Sequence, residues 1–148
     1  MKVTQKSKLA LVSLVHMARN TTQRVRVQDL AEKQTFSAHF LEQIFRNLRM
    51  AGIVRSVRGP GGGYELAKPI NKISVTDVLS ALGEHTSAWG EKISDTPEAM
   101  LVSGYLSSVE EKVQKDFANI TLEQILGVSA VIDNVVQFPT PGQRTEVA

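Results

Sequence analysis

Val54-Arg55-Ser56-Val57-Arg58-Gly59-Pro60-Gly61-Gly62-Gly63-Tyr64-Glu65-Leu66 is the stretch whose reading decides the fold. Two short runs, Val54 to Val57 and Gly63 to Leu66, flank a turn of glycines and one proline, the pattern of a β-hairpin. Glycine reaches φ > 0 at no steric cost, so such a turn can be tight and can approach another surface closely. A glycine-rich loop can also cradle a nucleotide phosphate. A P-loop, however, ends in Lys-Ser/Thr and runs into a helix, and Tyr64-Glu65-Leu66 supplies neither. Just before the hairpin, Phe40 to Ile53 is a periodic apolar segment rich in arginine. A basic helix followed at once by a glycine-tipped hairpin predicts a winged helix, in which the helix enters a DNA groove and the hairpin touches the backbone.

Upstream of the hairpin, Val27 to Gln34 is expected to form a short helix with Val27, Leu30 and Ala31 inward. Thr35-Phe36-Ser37 is the turn, and Ser37 is a good N-cap for the next helix. That helix buries Phe40 or Leu41, then Ile44, Phe45 and Leu48, at spacings of three and four. Its other face shows His39, Glu42, Gln43, Arg46 and Arg49. Two helices joined by a three-residue turn, the second with an exposed polar face, form a helix-turn-helix pattern. The side chains suit base reading: arginine pairs with guanine, glutamine with adenine, and glutamate accepts from cytosine N4. Residues 5–19 read as a core helix with Leu9, Val12, Val15 and His16 on one stripe, widened by Leu11, Leu14 and Ala18.

Downstream, Lys68 to Lys72 is a connector. Ser74 caps a helix with Asp77 three residues on, and Val75, Val78, Leu79 and Leu82 form its apolar stripe before Gly83 ends it. Gly83 to Asp95 is irregular and holds the single tryptophan, Trp89. Thr96-Pro97-Glu98 is a helix start: a capping threonine, proline in the first turn and an acid on the positive end of the dipole. From there Val102, Leu106, Val109, Val113 and Phe117 recur at near-heptad spacing, with Glu110, Glu111, Lys112, Lys115 and Asp116 expected on the outer positions. A helix of that length exceeds what the core needs, so its stripe predicts a partner helix, most simply from a second copy of the chain. Thr121-Leu122-Glu123-Gln124 is a capping box opening a short last helix.

The fold class expected is mainly α (α+β). A winged helix-turn-helix domain would span residues 1–82, with its wing at 54–67. A loop over 83–95, a long dimerisation helix over 96–118 and a short helix over 119–131 would follow, ending in a flexible tail over 132–148.

The net charge of +2 conceals an asymmetry: residues 1–72 carry +9 and residues 73–148 carry −7. A basic half suits a polyanion, since binding releases the counterions condensed on nucleic acid. The absence of cysteine from all 148 residues excludes disulfides, thiolate nucleophiles and cysteine-held metals or clusters. The longest apolar run, Leu9 to Val15, already contains Ser13 and is too short to span a membrane. No signal peptide is recognisable, so a cytoplasmic location is expected. No Ser/His/Asp cluster, zinc motif or complete phosphate loop can be assembled, which argues against an enzyme.

Four stretches together resemble a known family: Met1-Lys2-Val3-Thr4-Gln5-Lys6, Phe40-Leu41-Glu42-Gln43-Ile44-Phe45, Val57 to Tyr64, and Asn119-Ile120-Thr121-Leu122. The chain is similar, from residue 1 to about 127, to the cytoplasmic bacterial winged-helix regulators typified by IscR and NsrR. The resemblance implies a homodimer with crossed long helices, here meeting through Val102, Leu106, Val109, Val113 and Phe117, on double-stranded DNA with a palindromic site. It places Ser37, His39, Phe40, Glu42 and Gln43 at the major groove, and Arg46 and Arg49, on the exposed face of the same helix, are expected to contact DNA as well. Arg58, Gly59, Gly61, Gly62 and Tyr64 would lie at the minor groove or backbone. Cluster-binding members use three cysteines between the fourth helix and the long helix. Here that loop has none, so no iron–sulfur cofactor is expected. Glu84, His85, Glu91 and Asp95 lack tight ligand spacing, so no metal site is expected either. His85 and Trp89 mark a possible effector region. The function expected is a dimeric transcriptional regulator, most simply a repressor. A protein-interaction module that has lost DNA binding is the alternative.

Overall fold

The hairpin forms at the expected residues, and the helices assemble around it. The computed structural model describes residues 2–84 and 89–127, in the order α1 (Gln5–Arg19), α2 (Val27–Gln34), α3 (Ala38–Met50), β1 (Val54–Val57), β2 (Gly63–Leu66), α4 (Val75–Ala81) and α5 (Pro97–Asn119). A 3-10 turn at Ile70–Lys72 precedes α4, and residues 122–127 are helical. The fold is that of a winged helix-turn-helix.

Every α-helix but α2 starts where a side chain can satisfy one of its free amides. Thr4 accepts from Ser7 N at the head of α1, Ser37 from Phe40 N at α3, and Thr96 from Ala99 N at α5, with Pro97 in the first turn. Ser74 and Asp77 complete a capping box on α4. Thr121 and Gln124 exchange reciprocal hydrogen bonds of 3.0 and 3.3 Å at the start of 122–127. The turn between α2 and α3 is tightened by Thr35 in the left-handed region, φ +59.

Leu41, Ile44, Phe45 and Leu48 of α3 are fully buried, joined by Leu14, Leu30, Ile53, Val54, Ile73 and Val78. Phe40 takes the other option left open by the sequence: it is half-buried and stacks on Phe36 with centroids 6.2 Å apart. Helix α1 buries Leu9, Leu14 and Ala18 of its expected face and packs Leu11 and Val15 against the core, but that face is rotated away from Val12. Val12 is 45 % exposed, whereas Ala10, Leu14, Met17 and the two serines Ser7 and Ser13 are buried. With Leu9 to Val12 all apolar, periodicity alone does not choose the face. The small residues win because they allow close helix approach, and Ser13 satisfies its hydroxyl by donating to Leu9 O at 2.8 Å.

The expected stripe of α5 divides between two surroundings. Val113 and Phe117 pack with Ile120 against Val75 and Leu79 of the same chain. Val102 and Leu106 are exposed, as are Met100, Leu101 and Tyr105 beside them, and Val109 lies between these extremes. Glu110, expected on the outer side, is buried because it shares the inward face with Val113 and Phe117, three and seven residues on. After α5 the chain returns to the base of α4: Val75 N donates to Ile120 O at 2.9 Å and Leu122 N to Ile73 O at 3.0 Å. Leu122 is thereby inserted, fully buried, into the same core as Leu41 and Phe45.

Candidate nucleic-acid interface

Helix α3 leaves one polar arc uncovered. At 100° per residue, His39, Glu42, Gln43, Arg46 and Arg49 fall within about 120° of arc, and all five are exposed. Gln43 Nε2 donates to His39 Nε2 at 3.2 Å, tying two side chains of this arc one turn apart. Ser37 stands at the helix head, its oxygen engaged by Phe40 N at 3.2 Å. Phe40 packs around the turn rather than projecting with the polar side chains.

The hairpin is fastened beside this arc. β1 and β2 pair antiparallel from Val54↔Leu66 to Val57↔Gly63. Its tip follows the sequence Gly59-Pro60-Gly61-Gly62: Gly62 N donates to Gly59 O at 2.8 Å and Gly61 has φ +70, the pattern of a type II turn. A third strand-like contact holds the hairpin to the chain before α2, because Val25 and Tyr64 exchange both backbone hydrogen bonds at 2.9 and 2.8 Å. At Gly63 the approach is so close that a Cβ would lie 2.7 Å from Val25 O, and φ is +150. The Tyr64 ring packs on Phe45 of α3, centroids 4.8 Å apart. Tyr64 thus braces the hairpin against the helix.

Charge is distributed unequally among the arginines. Glu65 takes Arg55 Nε at 2.5 Å and lies 3.8 Å from Arg24 Nε, while Arg24 Nη1 also donates to Gly61 O at 3.4 Å. Among the described residues, Arg26, Arg46, Arg49 and Arg58 make no ion pair. Arg58 is the exposed, uncompensated cation of the wing. Between α3 and the wing runs a cleft of about 510 Å³, lined by Arg26 and Gln28 of the α2 start, by Glu42, Arg46 and Arg49, and by Gly59, Gly62, Gly63 and Tyr64. The sequence reading brought together the α3 and wing residues of this cleft but missed Arg26 and Gln28. The alternation Arg24-Val25-Arg26-Val27 was the available signal: it reads as a strand edge, and it is where the hairpin is fastened.

Trp89 is 39 % exposed. The adjoining Gly90 sits so tightly on α5 that a Cβ would come within 2.8 Å of Ser107 Cβ, and Ser103 Oγ donates to Glu91 O at 3.3 Å. His85 lies outside the described residues.

The family model for Rrf2, described as an iron-dependent transcriptional regulator, matches residues 3–127. The chain belongs to the Rrf2 family. This Rrf2 protein is 32% identical over 98% of its length, and 91% of the relative's, to the HTH-type transcriptional regulator IscR of Pectobacterium atrosepticum. Among solved structures it is similar to IscR of T. potens, with a TM-score of 0.71, 26% identity and 94% of each chain covered. It is also similar to CymR, the global cysteine regulator of B. subtilis, with the same TM-score and identity over 86% of this chain and 98% of that one. Among the described residues the iron in the family's description does not find a fitting donor set. The sequence offers no thiolate, and among the described residues no three histidine, aspartate or glutamate side chains converge on a point. Among the described residues no helix is long and apolar enough to cross a membrane.

Proposed function

We propose that this Rrf2 protein is a dimeric, sequence-specific DNA-binding repressor that acts on a palindromic operator without an iron–sulfur cluster. The observation that carries this reading is the uncompensated arginine arc of α3 set beside a wing whose tip presents Arg58. Arginines without protein counter-ions keep their full charge for phosphates, which supply affinity, while Glu42, Gln43 and His39 are available to base edges, which supply specificity. The names of the similar proteins IscR and CymR are those of regulators and point the same way. Dimer formation is supported by the apolar residues that α5 leaves uncovered, and operation without a cluster by the absence of cysteine.

Fluorescence anisotropy with random duplexes and with DNA from upstream of its own coding region, at two salt concentrations, tests the reading. One duplex should bind on the order of 10³-fold more tightly than random sequence, and that advantage should survive higher salt. Equal binding to all duplexes would overturn sequence specificity, and no binding would overturn the DNA-binding reading. Glu42→Ala should narrow the gap between preferred and random DNA without loss of affinity for random DNA, since the carboxylate repels phosphate while selecting cytosine. An unchanged preference would remove Glu42 from the readers.

A further inference from the structure

We infer that the cleft between α3 and the wing is the seat of one DNA sugar–phosphate strand, and that Arg26 is its third arginine clamp, opposite Arg46 and Arg49. The inference rests on the DNA-binding reading above and goes beyond it by fixing where the backbone runs. Its first support is geometric. A helix in the major groove and a wing tip at the adjacent minor groove are separated by a single sugar–phosphate ridge. That ridge has to pass between α3 and the wing, and the cleft of about 510 Å³ is the space there.

The second support is charge. Three guanidinium groups from two helices line this cleft without a partner among the described residues, whereas Arg24 and Arg55, just outside it, are engaged by Glu65. Arginine presents a planar fork of donors matched to phosphate oxygens, so an unpaired set facing one cleft suits a phosphodiester. Arg26 is also the N-cap of α2 and makes no capping hydrogen bond with its side chain. It leaves the first amides of that helix open beside the same cleft, where they favour an anion. Glu42 lines the same cleft from α3 and repels phosphate, so the strand is drawn toward the three arginines and away from that carboxylate. The wing wall is backbone: a Cβ at Gly62 would lie 2.5 Å from Val57 O, so only glycine keeps that wall closed and smooth.

Arg26→Ala tests this in the intact protein, by anisotropy over a salt series on the preferred and the random duplex. Arg26 is exposed, so the variant should fold, and an unchanged circular-dichroism melt would show that it has. Affinity for both duplexes should fall by the same factor, about tenfold. The slope of log affinity against log salt should become shallower by about 0.9 for each protomer bound. Arg26→Lys should retain the slope. Suppose instead that the parent protein binds DNA with normal salt dependence and Arg26→Ala matches it in affinity and slope. Then the seat is wrong while the DNA-binding reading stands. A change in the ratio of the two affinities would also overturn it, by making Arg26 a base reader. A parent protein that binds no duplex would sink the underlying reading itself. Inorganic phosphate at constant ionic strength should not displace the duplex. Displacement that is lost in Arg26→Ala would assign the seat to free phosphate instead of DNA.

Discussion

Glu65 shows how one carboxylate divides the work of six nearby arginines. By engaging Arg55 and Arg24 it turns two cations into a brace for the hairpin, and leaves Arg26, Arg46, Arg49 and Arg58 without an ion pair around the cleft and the wing tip. Exposed pairs of this kind add little stability, so their main effect is on the direction of the field. Gly63 is the other decisive position. Its left-handed φ and the 2.7 Å approach to Val25 O leave no room for a methyl group. Gly63→Ala should therefore cost about 1–3 kcal/mol in chemical denaturation. It should also weaken DNA binding more than the stability loss explains, because the wing loses its fastening to Val25. An alanine variant with unchanged stability and affinity would show that the backbone can yield there.

At the level of elements, the winged-helix core was legible because its signals are local. Ser37 before a periodic run, and Gly-Pro-Gly between two short strands, each specify their own geometry within a few residues. The bounds of α2, β1 and β2 follow the sequence reading. What was not legible depended on distant neighbours. On α1 only Val12 departs from the expected face, because four consecutive apolar residues leave the choice among them to whatever packs against the helix. Arg26 was overlooked because nothing in its own segment shows that Arg46, twenty residues on, will face it across a cleft. The α5 stripe looked uniform in sequence, yet only the structure separates Val113 and Phe117, which pack on α4, from Val102 and Leu106, which do not. The short segment after α5 likewise belongs to the core of the DNA-binding half. Leu122→Ala should cost about 2–5 kcal/mol, measured as a shift in the denaturation midpoint of the whole protein. A loss below 1 kcal/mol (roughly the value for a surface change) would mean that this segment is dispensable for the core.

Among the described residues, the first half of α5 carries a conspicuous run of uncovered apolar side chains. Leu101 is 75 % exposed and Tyr105 72 % exposed, with Met100, Val102 and Leu106 alongside. A contiguous apolar surface of this kind is what a second protomer would cover. Because these side chains support little within the protomer, Leu101→Glu with Tyr105→Glu should yield a folded monomer by sedimentation, with an undiminished melt. On a two-half-site duplex the monomer should bind about 10²–10⁴-fold more weakly, since the second half-site no longer benefits from being linked to the first. A double variant that remains dimeric would locate the interface elsewhere.

The return of the chain to Ile73 and Val75 also sets a schedule. Leu122 completes a core whose other members are almost all made by residue 82, so the reading head waits on some forty further residues. At roughly 5–20 residues per second on a ribosome, that interval is about 2–8 s. A chain interrupted before Leu122 would carry every arginine of the cleft on an unfinished core. Only a chain that already includes its long helix would hold a finished reading head, so half-made copies would compete poorly with complete ones for the same DNA.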